Sequence, residues 1–185
     1  MRTKGLNILL ATGLAATLIL FSCENQPGDS KEEEKVTAEQ ITRLEDELFS
    51  DTSKQINSRP MLELVKLYER FADANPDDPR SPEYLFKAAD LSMNLRRSRK
   101  TLELFDKLIE RYPYDVNTPT AWFLKGFVLE DQLKDYEEAR KVYEEFLEKY
   151  PDSDFADDAE MSLRNLGKTP EELIREFEQL EDQGI

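Results

Sequence analysis

The chain repeats its own sequence at an offset of 38 residues, and this self-similarity constrains its fold more than any other feature. Residues 86–113 align without a gap on residues 124–151, and an offset of 37 carries the pattern back to 67–76. The aligned residues include identical pairs at Lys87 and Lys125, Leu91 and Leu129, Leu95 and Leu133, Glu110 and Glu148, Tyr112 and Tyr150, and Pro113 and Pro151. A unit of this length cannot bury its apolar face alone, so neighbouring units must stack.

Apolar spacing indicates that each unit is a pair of helices. Apolar residues in 139–150 recur at i, i+3, i+4, i+7, i+8 and i+11, which is a single stripe along a helix. The members of this stripe are Ala139, Val142, Tyr143, Phe146, Leu147 and Tyr150. No segment alternates with a period of two, so the sequence predicts no strands.

Local signals predict where the helices begin and end. Thr37 with Gln40 and Asp135 with Glu138 fit capping boxes. Cap residues precede a proline at Ser81, Thr118 and Thr169, and stop signals follow at Pro76, Pro113, Pro151 and Gly167. The predicted helices are 38–50, 59–74, 82–95, 98–112, 119–133, 135–150, 154–166 and 170–182. The last is expected to cap the array through Leu173, Phe177 and Leu180.

Composition excludes several classes of function. The 185 residues contain no His and one Cys, with 40 Asp and Glu against 25 Lys and Arg. Without His the commonest general base and metal ligand are missing, and a net charge of −15 disfavours nucleic acid. We therefore expect no catalytic residue, metal, cofactor or small-molecule substrate. The acidic run 152–158 lacks the glycine turn of a calcium loop, so surface charge is the interpretation, with a Ca²⁺-stabilised or hydrolytic protein as the alternative.

The first 23 residues have the pattern of a processing signal. Arg2 and Lys4 precede an uncharged stretch, 8–20, of 13 residues, which is too short to span a bilayer that needs about 20. Leu20, Phe21, Ser22 and Cys23 follow it and resemble the lipobox of bacterial lipoproteins. That resemblance implies removal of 1–22 and lipidation of Cys23. The alternative is an ordinary secretory signal with a chance cysteine.

Residues 23–35 are predicted to form the lipidated cysteine and a flexible acidic tether, with 36–185 as the folded domain. The acidic run is similar to the surface-export signal of some bacterial lipoproteins, and a solvated spacer is the other interpretation. The residue directly after the cysteine, Glu24, is not the Asp that would resemble an inner-membrane retention signal. We therefore expect a lipid-anchored protein of the outer membrane, with the periplasmic or surface face open.

The sequence resembles a tetratricopeptide repeat at Gly126, in the run Asp135 to Ala139 and at Pro151. The phrase 150–153 is similar to the repeats of bacterial envelope lipoproteins, of the outer-membrane assembly (BamD-like) and Tol–Pal coordinator types. The resemblance covers 82–166 and, more weakly, 59–76. It implies an all-α solenoid of antiparallel helix pairs that acts as a non-catalytic scaffold for other envelope proteins, including in outer-membrane protein assembly. A cell-surface ligand-binding accessory lipoprotein is the alternative.

The resemblance also implies a concave groove lined by the first helix of each pair. Its candidate lining residues are Leu85, Ala89, Ser92, Met93, Phe123, Phe127, Glu130 and Asp131. Such a groove is expected to hold a partner segment that bears Lys or Arg. The alternative is that Phe123 and Phe127 are core residues.

The only basic cluster, 96–100, lies where the next repeat has acidic residues. Bases are mildly unfavourable at a helix start. One hypothesis is that Arg97, Arg99 and Lys100 dock an acidic partner. The other is that the cluster complements the preceding helix end or pairs with neighbouring Glu residues.

Overall fold

A computed structural model describes residues 36–50 and 58–182 of the chain. The predicted signal peptide 1–22, Cys23 and the tether to residue 35 lie outside the described residues. The described residues form eight α-helices and no strand, which confirms the predicted all-α fold class. The helices are α1 Ala38–Phe49, α2 Ser58–Ala74, α3 Ser81–Asn94, α4 Ser98–Arg111, α5 Thr118–Phe127, α6 Tyr136–Lys149, α7 Ala156–Asn165 and α8 Pro170–Asp182.

The predicted helix boundaries agree with these bounds to within two residues, apart from a change of winding in the fifth helix. There, α5 ends at Phe127 and a π-helical segment, Val128–Leu133, completes the predicted stretch 119–133. The apolar stripe of α6 is also confirmed, because Ala139, Val142, Tyr143 and Phe146 are all buried.

Consecutive helix pairs are joined by a turn that is built the same way three times. After α2, α4 and α6, a backbone carbonyl accepts a hydrogen bond from the N–H three residues later, at 3.0 to 3.1 Å. A side-chain oxygen of that third residue then accepts from the N–H two residues further on, at 2.9 to 3.3 Å. The residues that form both bonds in the three turns are Asp78, Asp115 and Ser153.

Two of the predicted helix caps are wrong. Ser81 and Thr118 are buried, and their hydroxyls donate to the backbone oxygens of Asn75 and Tyr112, each at 2.6 Å. The hydroxyls therefore close the preceding turn instead of capping the helix that follows. The capping box at Thr37 is confirmed, and at Thr169 the hydroxyl accepts from the Glu172 N–H at 3.2 Å.

The turns inside two helix pairs each contain a residue in the left-handed region. Arg96 has φ 55° and Lys134 has φ 57°, at positions that are equivalent under the 38-residue offset. Gln132 joins the π-helical segment to the turn between α3 and α4. Its side-chain amide donates to the Met93 oxygen at 3.1 Å and accepts from the Ser98 hydroxyl at 2.8 Å. These contacts fix the register between neighbouring repeats.

A ladder of ion pairs joins the second helices of adjacent pairs, α2 and α4. Glu69 contacts Lys100 at 2.7 Å and Lys107 at 2.5 Å, and Asp73 contacts Lys107 at 3.1 Å and Arg111 at 2.6 Å. Burial raises the pKa of Glu69, but the hydrogen bonds from both lysines outweigh it and leave that pKa below its ordinary value. The carboxylates are therefore held in the ionised form by their partners.

Candidate functional site: a groove with acidic margins

An open groove of about 520 Å³ lies between α5 and α7. The π-helical segment that follows α5 contributes Glu130 to its lining. The lining residues are Phe123, Leu124, Phe127, Glu130, Asp158, Met161, Ser162 and Asn165. Every lining residue with a charged side chain is acidic, and the remainder are apolar or neutral.

Phe127 and Met161 provide exposed apolar surface in this groove. Phe127 is 39% exposed and Met161 is 53% exposed, although large apolar side chains usually become buried. Phe123 behaves differently, because its ring stacks on Phe155 at a centroid distance of 4.9 Å and contacts Tyr143 and Phe146. Phe123 therefore forms the floor of the groove, while Phe127 and Met161 remain available to a partner.

The carboxylate of Glu130 is held in place at the groove margin. The Tyr143 hydroxyl donates to Glu130 Oε2 at 2.9 Å. Burial raises the pKa of the Tyr143 phenol well above its ordinary value, and the nearby Glu130 charge raises it further. The phenol therefore remains a hydrogen-bond donor throughout the physiological range. The other Glu130 oxygen has no hydrogen-bond partner in the part of the chain that the structure describes, so it can accept from a cationic partner.

Part of the predicted groove lining is wrong. Leu85 and Ala89 have no exposed surface and Ser92 is 1% exposed, so none of them can contact a partner. Leu85 and Ala89 belong to the apolar core that α3 shares with α2 and α4, and the half-buried Met93 packs against it. Leu85 and Ala89 occupy the repeat positions of Phe123 and Phe127. These positions are fully covered in the first repeat, whereas in the second Phe123 is only partly covered and Phe127 is exposed. In α7, on the other side of the groove, Ala159 is the only buried residue.

Asp131, the last predicted groove residue, is engaged by the basic cluster. Its Oδ2 contacts Arg96 Nη1 at 2.9 Å. Lys100 pairs with Glu69 and with Glu103 at 3.0 Å, as part of the α2–α4 ladder. Lys100 therefore pairs with Glu residues, as the second hypothesis expects, whereas the partner of Arg96 is an Asp of the next repeat, which neither hypothesis named. Arg97 and Arg99 are exposed and form no ion pair with any residue that the structure describes, so their role in docking stays a prediction.

The α7 side of the groove was not among the predicted lining residues. Met161, Ser162 and Asn165 lie 38 residues after Phe123, Leu124 and Phe127. The repeat offset was therefore a signal that could have found them. The signal is weak, because α7 carries no aromatic residue and its sequence similarity to the earlier first helices is low.

The described ranges give no indication of a metal centre or of a membrane span. Within 36–50 and 58–182, no group of three or more carboxylates is arranged to hold a metal ion. No helix in the same ranges is both long enough and apolar enough to cross a bilayer.

In α8, Leu173 is half-buried and Ile174 is 58% exposed. The Phe177 and Leu180 side chains lie outside the described part, so the capping role of α8 stays a prediction.

Comparison with known protein families identifies the repeats. Two segments, residues 83–113 and 120–153, match the tetratricopeptide repeat. These segments contain α3 with α4 and α5 with α6, so each match covers one antiparallel helix pair. A comparison with curated proteins finds no match. Over these two segments the chain is similar to the tetratricopeptide repeat, and the fold is a helical-repeat solenoid over the described residues.

Proposed function

We propose that this protein is a lipid-anchored, non-catalytic scaffold of the bacterial cell envelope, which holds a partner protein in the groove between α5 and α7. The observation that carries the proposal is the pair of exposed apolar side chains, Phe127 and Met161, between the acidic residues Glu130 and Asp158. Apolar surface gives affinity when it is covered, and flanking charge selects the partner. A segment with an apolar side chain next to Lys or Arg fits this arrangement.

The anchor in this proposal is Cys23. Its support is the lipobox-like sequence 20–23, since the cysteine is the only one in the chain and directly follows the apolar stretch. A single acyl chain binds membranes reversibly, whereas two or more anchor a protein stably. Glu24, directly after this cysteine, favours the outer membrane, and the similarity to assembly lipoproteins favours a role in outer-membrane protein assembly.

The experiment that tests the groove is the substitution Phe127→Glu. We expect it to abolish partner capture, because it places a charge on the apolar centre of the groove. Phe49→Glu is the matched control, since Phe49 is 44% exposed on α1, outside the groove. Helicity by circular dichroism must stay unchanged in both variants. Loss of helicity in Phe127→Glu would show that Phe127 is a core residue and would reject the groove assignment.

A cell-surface accessory lipoprotein is the second candidate, because the acidic stretch 24–35, with three Glu residues at 32–34, is similar to a surface-export signal. Proteolysis of intact cells separates the two. Digestion of the protein in whole cells would favour the surface role, and protection until the outer membrane is opened would favour the periplasmic scaffold.

A further inference from the structure

The turn between α4 and α5 carries the two most exposed large apolar side chains of the described residues. Tyr114 is 99% exposed and Val116 is 85% exposed. The other two turns of the same construction have Asp77 and Pro79, or Asp152 and Asp154, at these positions. The turn therefore does not need apolar residues there in order to fold.

This exposure is not a property of a loosely held loop. The carboxylate of Asp115, between the two apolar residues, accepts hydrogen bonds from the Asn117 backbone N–H at 2.9 Å and from the Asn117 side chain at 3.0 Å. The Thr118 hydroxyl closes the turn on the Tyr112 oxygen at 2.6 Å. Tyr114 and Val116 are thus presented on a fixed backbone, which lowers the entropy cost of binding a partner.

Val116 also borders a hollow of about 480 Å³ between this turn and the next one. Its apolar lining comes mainly from Pro119, Tyr150, Pro151 and Phe155. The charged side chains around the hollow differ in whether they are already paired within the protein. Lys149 pairs with Glu145 at 3.2 Å and lies 4.7 Å from the centre of the Trp122 ring.

In contrast to Lys149, the two carboxylates that line the same hollow are available. Asp152 and Asp154 are exposed and form no ion pair with any described residue. The available charge of the hollow is therefore negative. A partner that covers the apolar residues gains further if it brings a positive charge to these carboxylates.

We propose that Tyr114, Val116 and the adjoining hollow form a second docking surface, the turn surface. It takes a protein segment that presents an apolar side chain flanked by Lys or Arg. This surface is separate from the groove between α5 and α7, since the two share no lining residue. The proposal rests on the scaffold role proposed above and adds a second contact to it.

The test is site-specific photo-crosslinking in the native membranes of the full-length protein. A benzophenone amino acid replaces Tyr114, and in a matched control it replaces Asp77, the equivalent residue of the first turn. The crosslinked peptide is then sequenced. We expect an adduct at position 114 but not at 77, on a segment with an apolar residue next to Lys or Arg. An adduct with lipid, a second copy of this chain or an acidic segment would overturn the proposal, as would no adduct.

Two further variants test the role of the carboxylates and the independence of the turn surface from the groove between α5 and α7. The double substitution Asp152→Asn and Asp154→Asn should lower the yield of the adduct about threefold, as expected for losing exposed ion pairs. An unchanged yield would contradict the charge argument. Phe127→Glu should leave the adduct at position 114 in place even where it abolishes capture by the groove. Loss of the adduct in that variant would overturn the turn surface as an independent contact.

Discussion

Gly126 of α5 lies directly against the ring of Tyr143 of α6. A Cβ atom placed on Gly126 would stand 2.5 Å from Tyr143 Cε1 and 2.7 Å from Cδ1. The ring cannot move aside easily, because it is fully buried and its hydroxyl is bonded to Glu130. The glycine therefore allows the two helices of the repeat to approach closely, and the hydroxyl of the same tyrosine holds Glu130 at the margin of the groove.

Gly126→Ala should destabilise the protein by up to about 2 kcal/mol. The added methyl group overpacks the interface, which typically costs about 1–3 kcal/mol, and the gain in helix propensity returns only about 1 kcal/mol. Denaturant unfolding measures the difference. The double variant Gly126→Ala/Tyr143→Leu is the control and should lose less than the sum of the two single changes. A Gly126→Ala variant that is more stable than the parent would contradict this packing.

Lys134→Gly should stabilise the protein by up to about 1 kcal/mol. Lys134 has φ 57°, a conformation that costs a residue with a Cβ roughly 1 kcal/mol and costs glycine little. The side chain contributes little in exchange, because it is 62% exposed and lies 3.9 Å from Asp131. Lys134→Ala is the control, since it removes the same side chain and keeps the Cβ. Equal melting temperatures for the two variants would refute the backbone explanation.

Ser92→Ala and Ser81→Ala should change stability in opposite directions. The Ser92 hydroxyl is buried without a hydrogen-bond partner among the described residues, so its removal should stabilise the protein by about 0.5–1 kcal/mol. The Ser81 hydroxyl is equally buried but donates to the Asn75 oxygen at 2.6 Å. Its removal should cost about 1–2 kcal/mol. Thermal unfolding measures the stability of both variants. A change in melting temperature of the same sign in both would contradict the prediction.

Glu69→Gln should destabilise the protein by about 1 kcal/mol at neutral pH, because it breaks two ion pairs of the α2–α4 ladder. The pKa of Glu69 is lower in the folded protein than its ordinary value of 4.5. Its contribution is therefore complete above that value and is lost as pH falls through the lower, folded value. The difference from the parent should shrink in acid.

Unfolding measured from pH 7 to pH 3 tests this dependence. The control is Glu63→Gln, which breaks a pair at 3.6 Å whose two side chains are 55% and 69% exposed. We expect that control to change stability by only a few tenths of a kcal/mol. A difference between Glu69→Gln and the parent that is constant over this pH range would exclude the ladder as its source.

The sequence predicted the helices and the repeat register well because both depend on local signals. Prolines 76, 113 and 151 each follow a helix end, and the stripe of α6 is visible within 12 residues. The groove was predicted only in part, because exposure depends on neighbouring helices. Leu85 and Phe123 occupy the same repeat position, yet only Leu85 is completely covered. No periodicity within one helix distinguishes the two cases.

The hydroxyls of Ser81 and Thr118 illustrate the same limit on a smaller scale. A cap and a turn-closing bond require the same residue type just before or at a helix start. The choice depends on where the preceding helix leaves a free carbonyl, here at Asn75 and Tyr112. The π-helical segment 128–133 also makes contacts that lie outside its own helix, from Gln132 and Asp131 to the turn between α3 and α4.

The most direct test of the proposed scaffold is a crosslinked pull-down of the full-length protein from its native membranes, beside Phe127→Glu and Cys23→Ala. We expect the parent to recover a defined envelope partner, Phe127→Glu to lose it while keeping its helicity, and Cys23→Ala to lose it through release from the membrane. Recovery of outer-membrane assembly components would support the assembly role. Equal recovery of the same partner by all three proteins would contradict both the groove and the lipid anchor.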